Sequence, residues 1–143
     1  MRACCDEEAL LSLGFVGADG PEDSARVQHP LLKDLREQAD AYFAGELCVF
    51  DMPLKPVGTM FQLQVWEWLQ QIPYGVALTY GELATQLGNA LAVRAVARAS
   101  ARNPIAILIP CHRVIGQNGR LAGYVGGLEC KQRLLRMEGT ILL

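Results

Sequence analysis

The sequence predicts an α+β protein in which a small acidic α/β unit precedes a mostly helical unit with a helix-turn-helix. Two observations predict this division: the patterning of apolar residues changes along the chain, and so does the charge. Residues 1–78 carry 5 Lys/Arg and 12 Asp/Glu, whereas residues 79–143 carry 8 Lys/Arg and 3 Asp/Glu. The net charges are −7 and +5, within a total of −2. A basic half favours a polyanionic partner for that half, although surface charge without a partner would give the same count.

The bulk composition excludes several classes of protein. The 143 residues suffice for one domain, or for one domain with a small appendage. No apolar stretch reaches the length of a membrane span, and acids stand where a signal peptide would be apolar, so we expect a cytoplasmic protein. This expectation includes association with a nucleoid, or a nucleus in a eukaryote. The 5 cysteines form an odd set without framework spacing, which favours free thiols. Cys4, Cys5 and His29 fit no zinc-site spacing, so we expect no metal.

The first part of the chain predicts two strands and one helix. The strands are "RACC" and "ALLSLGFVG", which flank an acidic turn, and residues 18–28 have the composition of a loop. A helix is predicted over "HPLLKDLREQADAYFAGE", with a proline at its start and Gly45 as its stop. Its apolar residues recur at helical spacing: Leu32, Leu35, Ala39, Tyr42 and Phe43. "LCVFDMPL" predicts another short strand, and "KPVG" predicts a linker.

The second part begins with a helix and continues into a helix-turn-helix. Thr59 is a candidate N-cap for the helix "TMFQLQVWEWLQQI", and "PYGVALT" predicts a turn with a short extended piece. The apolar stripe of this helix is Phe61, Val65, Trp66 and Leu69. Thr79 and Glu82 have capping-box spacing at the start of a short helix, which Gly88-Asn89 ends. A second helix follows from about Leu91 to Ala101, so a glycine-containing turn joins two short helices.

The last predicted helix carries a basic stripe. Arg94, Arg98 and Arg102 recur every four residues and lie on one face, while the other positions are nearly all alanine or valine. Small residues let a helix approach another surface closely, and arginines attract phosphates. The alternative is a solvated arginine face on an alanine-rich helix. The helix-turn-helix context favours nucleic acid.

The segment "NPIAILIPCHRVIG" combines a core element with reactive side chains. The apolar run Ile105 to Ile109 predicts a buried strand, and Pro110 predicts its end because proline cannot donate to a sheet ladder. Cys111 and His112 would then lie at the mouth of that strand.

Cys111 differs from the other cysteines in its neighbours. His112 and Arg113 follow it, and basic groups favour the thiolate, which is the reactive form of cysteine. In an extended chain adjacent side chains point to opposite faces, so His112 would act through a water or a local bend. Alone, the Cys-His pair is weak evidence.

The longer string resembles the O6-alkylguanine-DNA alkyltransferases, also called methylated-DNA–protein-cysteine methyltransferases. The resemblance rests on "NPIAILIPCHRVIG", on "TYGELA" and "RAV" upstream, and on "GYVGGLECKQRLLRMEG" downstream. It runs in order from about His29 to Gly139. It implies a shortened, ribonuclease H-like N-terminal α/β domain over residues 1–56, lacking the first strand or strands of the family's sheet. It implies a winged-helix-like domain with the helix-turn-helix over residues 57–143, which binds DNA and accepts the alkyl group.

The resemblance implies direct reversal of DNA damage by a single-turnover S-methyltransferase. Cys111 takes the alkyl group from the O6 atom of guanine, and by extension from O4-alkylthymine, by in-line displacement. His112 acts through a water as the base and is oriented by Glu138. Asn103 ties the active-site turn together, and Tyr80 donates a proton towards the departing guanine. The product is a thioether, which water does not reverse, so each molecule acts once. No cofactor is implied.

The implied partner is double-stranded DNA with an alkylated guanine, bound through the minor groove by a monomer. The base must be rotated out of the stack to reach a buried thiolate, and Arg94 takes its place in the duplex. The predicted DNA-binding residues are Arg94, Thr79, Tyr80, Arg98, Arg102 and Arg113. The implied substrate pocket comprises Tyr124, Val125 and Lys131. No membrane contact is implied.

Two departures from the family pattern bear on specificity. Val125 stands where several members have a serine facing the substrate oxygen, so only a backbone N–H could serve there. "NALAV" replaces an Asn-Pro-Lys type of turn, which removes one phosphate contact.

Four other functions remain as alternatives. A non-catalytic alkyltransferase-like lesion binder would carry another residue in place of Cys111. A cysteine hydrolase needs an oxyanion hole, and a thiol redox protein usually needs a resolving cysteine, but the chain has no C-x-x-C. A transcriptional helix-turn-helix module would leave the Pro-Cys-His string unexplained.

Overall fold

The computed structural model describes residues 1–16, 29–121, 123–124 and 126–140. These residues form a mixed α+β structure with five α-helices and four short strands. In chain order the elements are β1 (Arg2–Cys5), β2 (Leu10–Gly14), α1 (Pro30–Phe43), α2 (Met60–Leu69), β3 (Leu78–Thr79), α3 (Tyr80–Gln86), α4 (Val93–Ala101), β4 (Val114–Ile115) and α5 (Leu128–Met137). None of the helices in this described part is long and apolar enough to cross a membrane.

The two predicted N-terminal strands are confirmed as an antiparallel pair. Arg2 lies opposite Gly14, and the register shifts between Cys4 and Cys5. The carboxylate of Asp6 accepts hydrogen bonds from two backbone N–H groups of the turn, which closes the hairpin. The predicted loop over residues 18–28 lies outside the described residues.

The predicted helix of the first part is confirmed as α1. His29 caps its N-terminus by accepting from the Leu31 N–H, and Pro30 occupies the first turn. Gly45, at φ 77°, follows the C-terminus in a left-handed conformation. Leu35 and Tyr42 are the buried residues of this helix.

The strand predicted from "LCVFDMPL" is wrong. The structure has only an isolated bridge there, from Leu54 to Leu10. The side chain of Gln38 on α1 both accepts from the backbone N–H of Asp51 at 2.8 Å and donates to its carbonyl oxygen at 2.9 Å. A side-chain amide therefore satisfies the backbone groups that a strand ladder would have used.

The helices of the second part are confirmed, and both predicted N-caps are present. Thr59 and Thr79 each form a capping box, the first with Gln62 and the second with Glu82. α4 begins at Val93, two residues later than predicted. The indole N–H of Trp66 on α2 donates to the Ala99 carbonyl on α4 at 2.8 Å, which fixes the two helices together.

The strand predicted for Ile105 to Ile109 is also wrong. Ile105 forms one bridge to Leu13, and the chain then turns, with Ile109 donating back to the Ile105 carbonyl. Ile107 adopts φ 72°, which is rare for a β-branched residue. The run is buried, as predicted, but it is a compact turn that leads directly to Cys111.

Candidate active site

Cys111 begins a short 3-10 turn, Cys111–Arg113, which supplies the local bend that a Cys-His pair requires. The thiol is 5% exposed. The side-chain amide of Asn103 donates to the Cys111 sulfur at 3.1 Å and to the Ile109 carbonyl at 2.7 Å, while its oxygen accepts from the Ile105 N–H at 3.0 Å. Asn103 therefore holds both ends of the turn and contacts the thiol.

Opposing electrostatic effects act on the pKa of the Cys111 thiol. Burial raises the pKa of the thiol, because a thiolate in a closed site loses its hydration. The hydrogen bond from Asn103 and the positive charge of Lys131 act in the opposite sense. The protein thus keeps a protected thiol beside two groups that favour its ionised form.

Lys131 and Tyr80 lie on the same side of this site. Lys131, on α5, is fully buried, and its Nζ lies 3.4 Å from the Tyr80 hydroxyl and 5.6 Å from the centre of that ring. Burial lowers the pKa of Lys131 to about 8, against the opposing effect of Cys111. Burial, together with Cys111, raises the pKa of Tyr80 to about 12, so Tyr80 keeps its proton at neutral pH.

His112 and Glu138 form a buried pair. Nε2 of His112 lies 2.8 Å from Oε1 of Glu138, and both side chains are fully buried. Burial lowers the pKa of His112, although Glu138 opposes this, so the ring is neutral. Since an ionised carboxylate only accepts, Nε2 carries the proton and Nδ1 carries the lone pair. Nδ1 is buried without a hydrogen-bond partner among the described residues.

Arg113 lies in a different place from the one predicted. It is 8% exposed, and its Nε and Nη2 donate to the two oxygens of Glu138, each at 2.9 Å. Its Nη1 donates to the Ile72 carbonyl at 2.7 Å. The guanidinium is thus directed inward and presents almost no surface to a phosphate. The 3-10 turn directs the Arg113 side chain towards the Glu138 carboxylate. Arg113 therefore contacts the His112–Glu138 pair and does not lie on the exposed face formed by the arginines of α4.

Burial alone would raise the pKa of Glu138, but hydrogen bonds lower it to about 2. The donors, in decreasing order of effect, are His112, Arg113 and Tyr42. Tyr42, on α1, donates its hydroxyl to Oε1 at 2.6 Å. The carboxylate is therefore ionised at all physiological pH values and acts as an acceptor only.

The predicted pocket residues are only partly described. The Tyr124 hydroxyl is buried without a partner among the described residues, and burial with the nearby Cys111 raises its pKa. Its ring makes an edge-on contact with Phe15, centroids 5.8 Å apart. A Cβ added to Gly126 would lie 2.5 Å from the nearest carbon of the same Phe15 ring, so the ring leaves no room for a side chain at position 126. Val125 lies outside the described residues.

The predicted DNA-binding residues of α4 lie on its outer face. Arg94, Arg98 and Arg102 are exposed, whereas Val96 and Ala99 pack into the core. Thr79 uses its hydroxyl oxygen to cap α3 and lines a surface pocket with Tyr80 beside the exposed face of the helix-turn-helix. The remaining lining residues of this pocket come from α3, from α4 and the turn before it, and from the turn at 116–117.

The other four cysteines form no disulfide bond. Cys4, Cys5, Cys48 and Cys130 are free thiols. Among the described residues there is no group of three or more His, Cys, Asp or Glu side chains that could hold a metal ion.

Sequence reasoning missed two residues that support the site. Tyr42 was assigned to the apolar stripe of α1, and Phe15 was assigned to a strand. For Tyr42 a signal exists, because a buried tyrosine usually finds a partner for its hydroxyl. The partner, 96 residues away, has no signature in the sequence. For Phe15 no signal exists.

Comparison with known proteins supports a single family. Residues 60–140 match the family model described as 6-O-methylguanine DNA methyltransferase, DNA binding domain. A protein of Methanosarcina acetivorans named methylated-DNA–protein-cysteine methyltransferase is 50% identical over 138 residues, which cover 94% of this chain and 88% of that protein. A protein of the same name from Mycolicibacterium paratuberculosis is 57% identical over 102 residues, 71% of this chain and 62% of that protein.

The fold is also found among solved structures. The crystal structure of Mycobacterium tuberculosis OGT in complex with DNA superposes with a TM-score of 0.84 at 42% identity, covering 95% of this chain and 84% of that one. Sequence identity, a family model over more than half of the chain and a shared fold all agree. The chain belongs to the methylated-DNA–protein-cysteine methyltransferase family.

Proposed function

We propose that this protein repairs DNA by direct damage reversal, transferring an alkyl group from O6-alkylguanine to Cys111. The observation that carries the proposal is the environment of Cys111. A buried thiol contacts Asn103, lies in the field of Lys131, and precedes a histidine whose other nitrogen is bound to Glu138. This is the arrangement of an activated cysteine nucleophile.

Activation of the thiol follows from the tautomer of His112. With Nε2 donating to Glu138, Nδ1 is free to accept a proton, and it is buried without a partner among the described residues. A water between Nδ1 and the thiol would satisfy both groups and carry the proton. The amide of Asn103 and the charge of Lys131 then stabilise the thiolate.

Displacement needs a leaving group that accepts a proton. The thiolate attacks the alkyl carbon, a sulfur–carbon bond forms, and the carbon–oxygen bond breaks with its electron pair going to the guanine. Tyr80 supplies a proton to this base, since its high pKa keeps it protonated until charge develops nearby. Lys131 donates towards the Tyr80 oxygen and stabilises the negative charge left there.

The partner is DNA, and the finer contacts are part of the proposal. The exposed arginines of α4 contact the duplex, and Arg94 occupies the space left by the flipped base. Binding through the minor groove is what the resemblance to the family implies, and it is part of this proposal. A monomer suffices, because every proposed site residue lies on one chain.

The product and substrate range follow from the same chemistry. A thioether is not hydrolysed by water, so each molecule reacts once. O4-alkylthymine presents the same alkyl–oxygen bond and is a further substrate. A division into two domains between residues 56 and 57, ribonuclease H-like and winged-helix-like folds for these domains, and a cytoplasmic or nucleoid location are also parts of this proposal.

The alternative is a non-catalytic lesion binder. Against it stands Cys111 itself, together with the groups that ionise it, because a binder needs neither a base nor a donor for the leaving group.

The test is a mass measurement on the intact protein. The protein is mixed with a duplex carrying one O6-methylguanine, and the added methyl is mapped by peptide mass spectrometry. We expect one methyl on Cys111, none after Cys111→Ala, and full transfer by the control Cys48→Ala, whose thiol is exposed. Selective binding of the lesion without an adduct would instead identify a damage sensor.

A further inference from the structure

The first part of the chain makes a direct contact with the catalytic pair. The hydroxyl of Tyr42, near the end of α1, lies 2.6 Å from Oε1 of Glu138, and Tyr42 is 1% exposed. The same oxygen lies 2.8 Å from Nε2 of His112. One carboxylate atom thus joins α1 to the histidine that follows Cys111.

The hydroxyl must be the donor in this contact. Glu138 has a pKa of about 2 and is ionised, whereas burial, then the hydrogen bond to Glu138, raises the pKa of Tyr42. A hydrogen bond from a neutral hydroxyl to a carboxylate is short and strong, and it fixes the direction of the acceptor. In a closed site its loss would leave a charged oxygen under-satisfied.

Several charged and titratable groups surround His112, and each has its own partner. Arg113, from the same turn, is held by both oxygens of Glu138. Lys131, from α5, lies by Tyr80, and Cys111 precedes the histidine. Tyr42 is the described group that α1 contributes to this cluster through a hydrogen bond.

We propose that Tyr42 is a positioning residue for alkyl transfer: its hydroxyl holds the Glu138 carboxylate so that Nε2 of His112 stays the donor and Nδ1 stays free to accept the proton of Cys111. This inference rests on the proposed function and extends it to the first part of the chain. Tyr42 does not touch the substrate, and it acts through Glu138 alone.

Removing the hydroxyl changes the electrostatics in a definite direction. In Tyr42→Phe the ring still packs against Phe43 and Phe50, but among the described residues Oε1 keeps two donors, His112 and Arg113. The carboxylate charge is then less compensated and attracts the imidazolium more strongly, so the pKa of His112 rises. At neutral pH a larger fraction of His112 is protonated and unable to act as the base.

The experiment compares Tyr42→Phe with the matched control Tyr74→Phe. The Tyr74 ring lies 6.2 Å from that of Tyr42, but its hydroxyl makes a long 3.3 Å bond to the Met137 carbonyl and none to the carboxylate. Single-turnover transfer from an O6-methylguanine duplex is measured from pH 5 to 9. The titration of His112 is followed by NMR in the free protein.

We expect Tyr42→Phe to slow transfer about tenfold at pH 7, as partial loss of a general base should. The acid limb of its pH–rate profile and the titration of His112 should both move to higher pH, while Tyr74→Phe leaves both in place. If the acid limb of the profile and the titration of His112 both stay in place, the proposal is overturned even if the transfer rate falls, because altered packing alone would then explain the slower transfer. If the wild type transfers no methyl, the proposed function fails, and the His112 titration still decides the role of Tyr42.

A second measurement covers a Tyr42→Phe variant that does not fold. Replacing the 4 tyrosines by 3-fluorotyrosine makes each phenol a stronger donor without removing any side chain. A stronger bond to Glu138 should shift the titration of His112 to lower pH, and an unchanged titration would contradict the inference.

Discussion

The side-chain amide of Asn103 lies 3.1 Å from the sulfur of Cys111, eight residues further along the chain. The same nitrogen donates to the Ile109 carbonyl, and the oxygen accepts from the Ile105 N–H. One side chain therefore determines the shape of the turn and favours the thiolate at its end.

Replacement of Asn103 should affect stability and rate together. Asn103→Ala leaves the buried Ile105 N–H without its acceptor, which costs about 1–3 kcal/mol, and it also removes one of the two hydrogen bonds to the Ile109 carbonyl. We expect the free energy of unfolding, measured in urea, to fall by about 2 kcal/mol or more and transfer to slow. Asn89→Ala is the control, because Asn89 bonds the Leu91 N–H in an exposed turn. Equal losses for both variants would contradict this role.

Replacement of Arg94 should separate DNA repair from chemistry at the thiol. Arg94 is exposed on α4, whereas Cys111 is buried, so Arg94→Ala should weaken repair of O6-methylguanine in a duplex far more than reaction with free O6-methylguanine. Both rates are measured in single-turnover assays. Arg133→Ala, which removes an exposed arginine paired with Glu129 on α5, is the control. Equal loss on both substrates would exclude base replacement by Arg94.

Lys131 should lower the stability of the folded protein and raise the rate of alkyl transfer. Its folded pKa of about 8 lies below its ordinary value of 10.5, so below pH 8 it is charged in both states and its burial cost is complete. Lys131→Met should therefore unfold with a free energy up to about 3 kcal/mol higher at pH 7, while transferring alkyl groups more slowly. The stability difference should shrink from pH 8 to 10.5. A variant less stable than the wild type at pH 7 would refute this reasoning.

Glu138 should contribute stability that acid removes. Its pKa of about 2 lies below the ordinary 4.5, so its contribution is complete above pH 4.5 and is lost as the pH falls towards 2. Glu138→Gln leaves Arg113 buried without its counter-ion, which costs about 3–5 kcal/mol at pH 7. The difference in denaturant midpoint between Glu138→Gln and the wild type should be smaller at pH 3 than at pH 7. Glu129→Gln, in an exposed pair, should change little at either pH.

Local chemistry made much of the fold predictable from sequence. A capping box involves residues only three positions apart, so a short stretch of sequence suffices to predict it. The N-caps of α2 and α3, at Thr59 and Thr79, could therefore be predicted. The two N-terminal strands were predictable because Asp6 closes a short turn between them.

The failures have physical causes beyond local composition. Buried strands and buried turns use the same apolar residues, and what makes Ile105 to Ile109 a turn is the side chain of Asn103 satisfying its backbone groups. Arg113 follows Cys111 on a basic segment, yet a 3-10 turn directs it inward to Glu138. Contacts across long stretches of chain, such as Tyr42 with Glu138, are set by the assembled fold alone.

The near-complete burial of Cys111 has a consequence at the level of the protein population. A methyl thioether places an extra carbon in a closely packed site and removes the charge that Asn103 and Lys131 stabilise, and added carbon in a packed interior is destabilising. Reacted molecules should then melt a few degrees below unreacted ones. Thermal melts of the purified protein before and after reaction with an O6-methylguanine duplex would measure this difference.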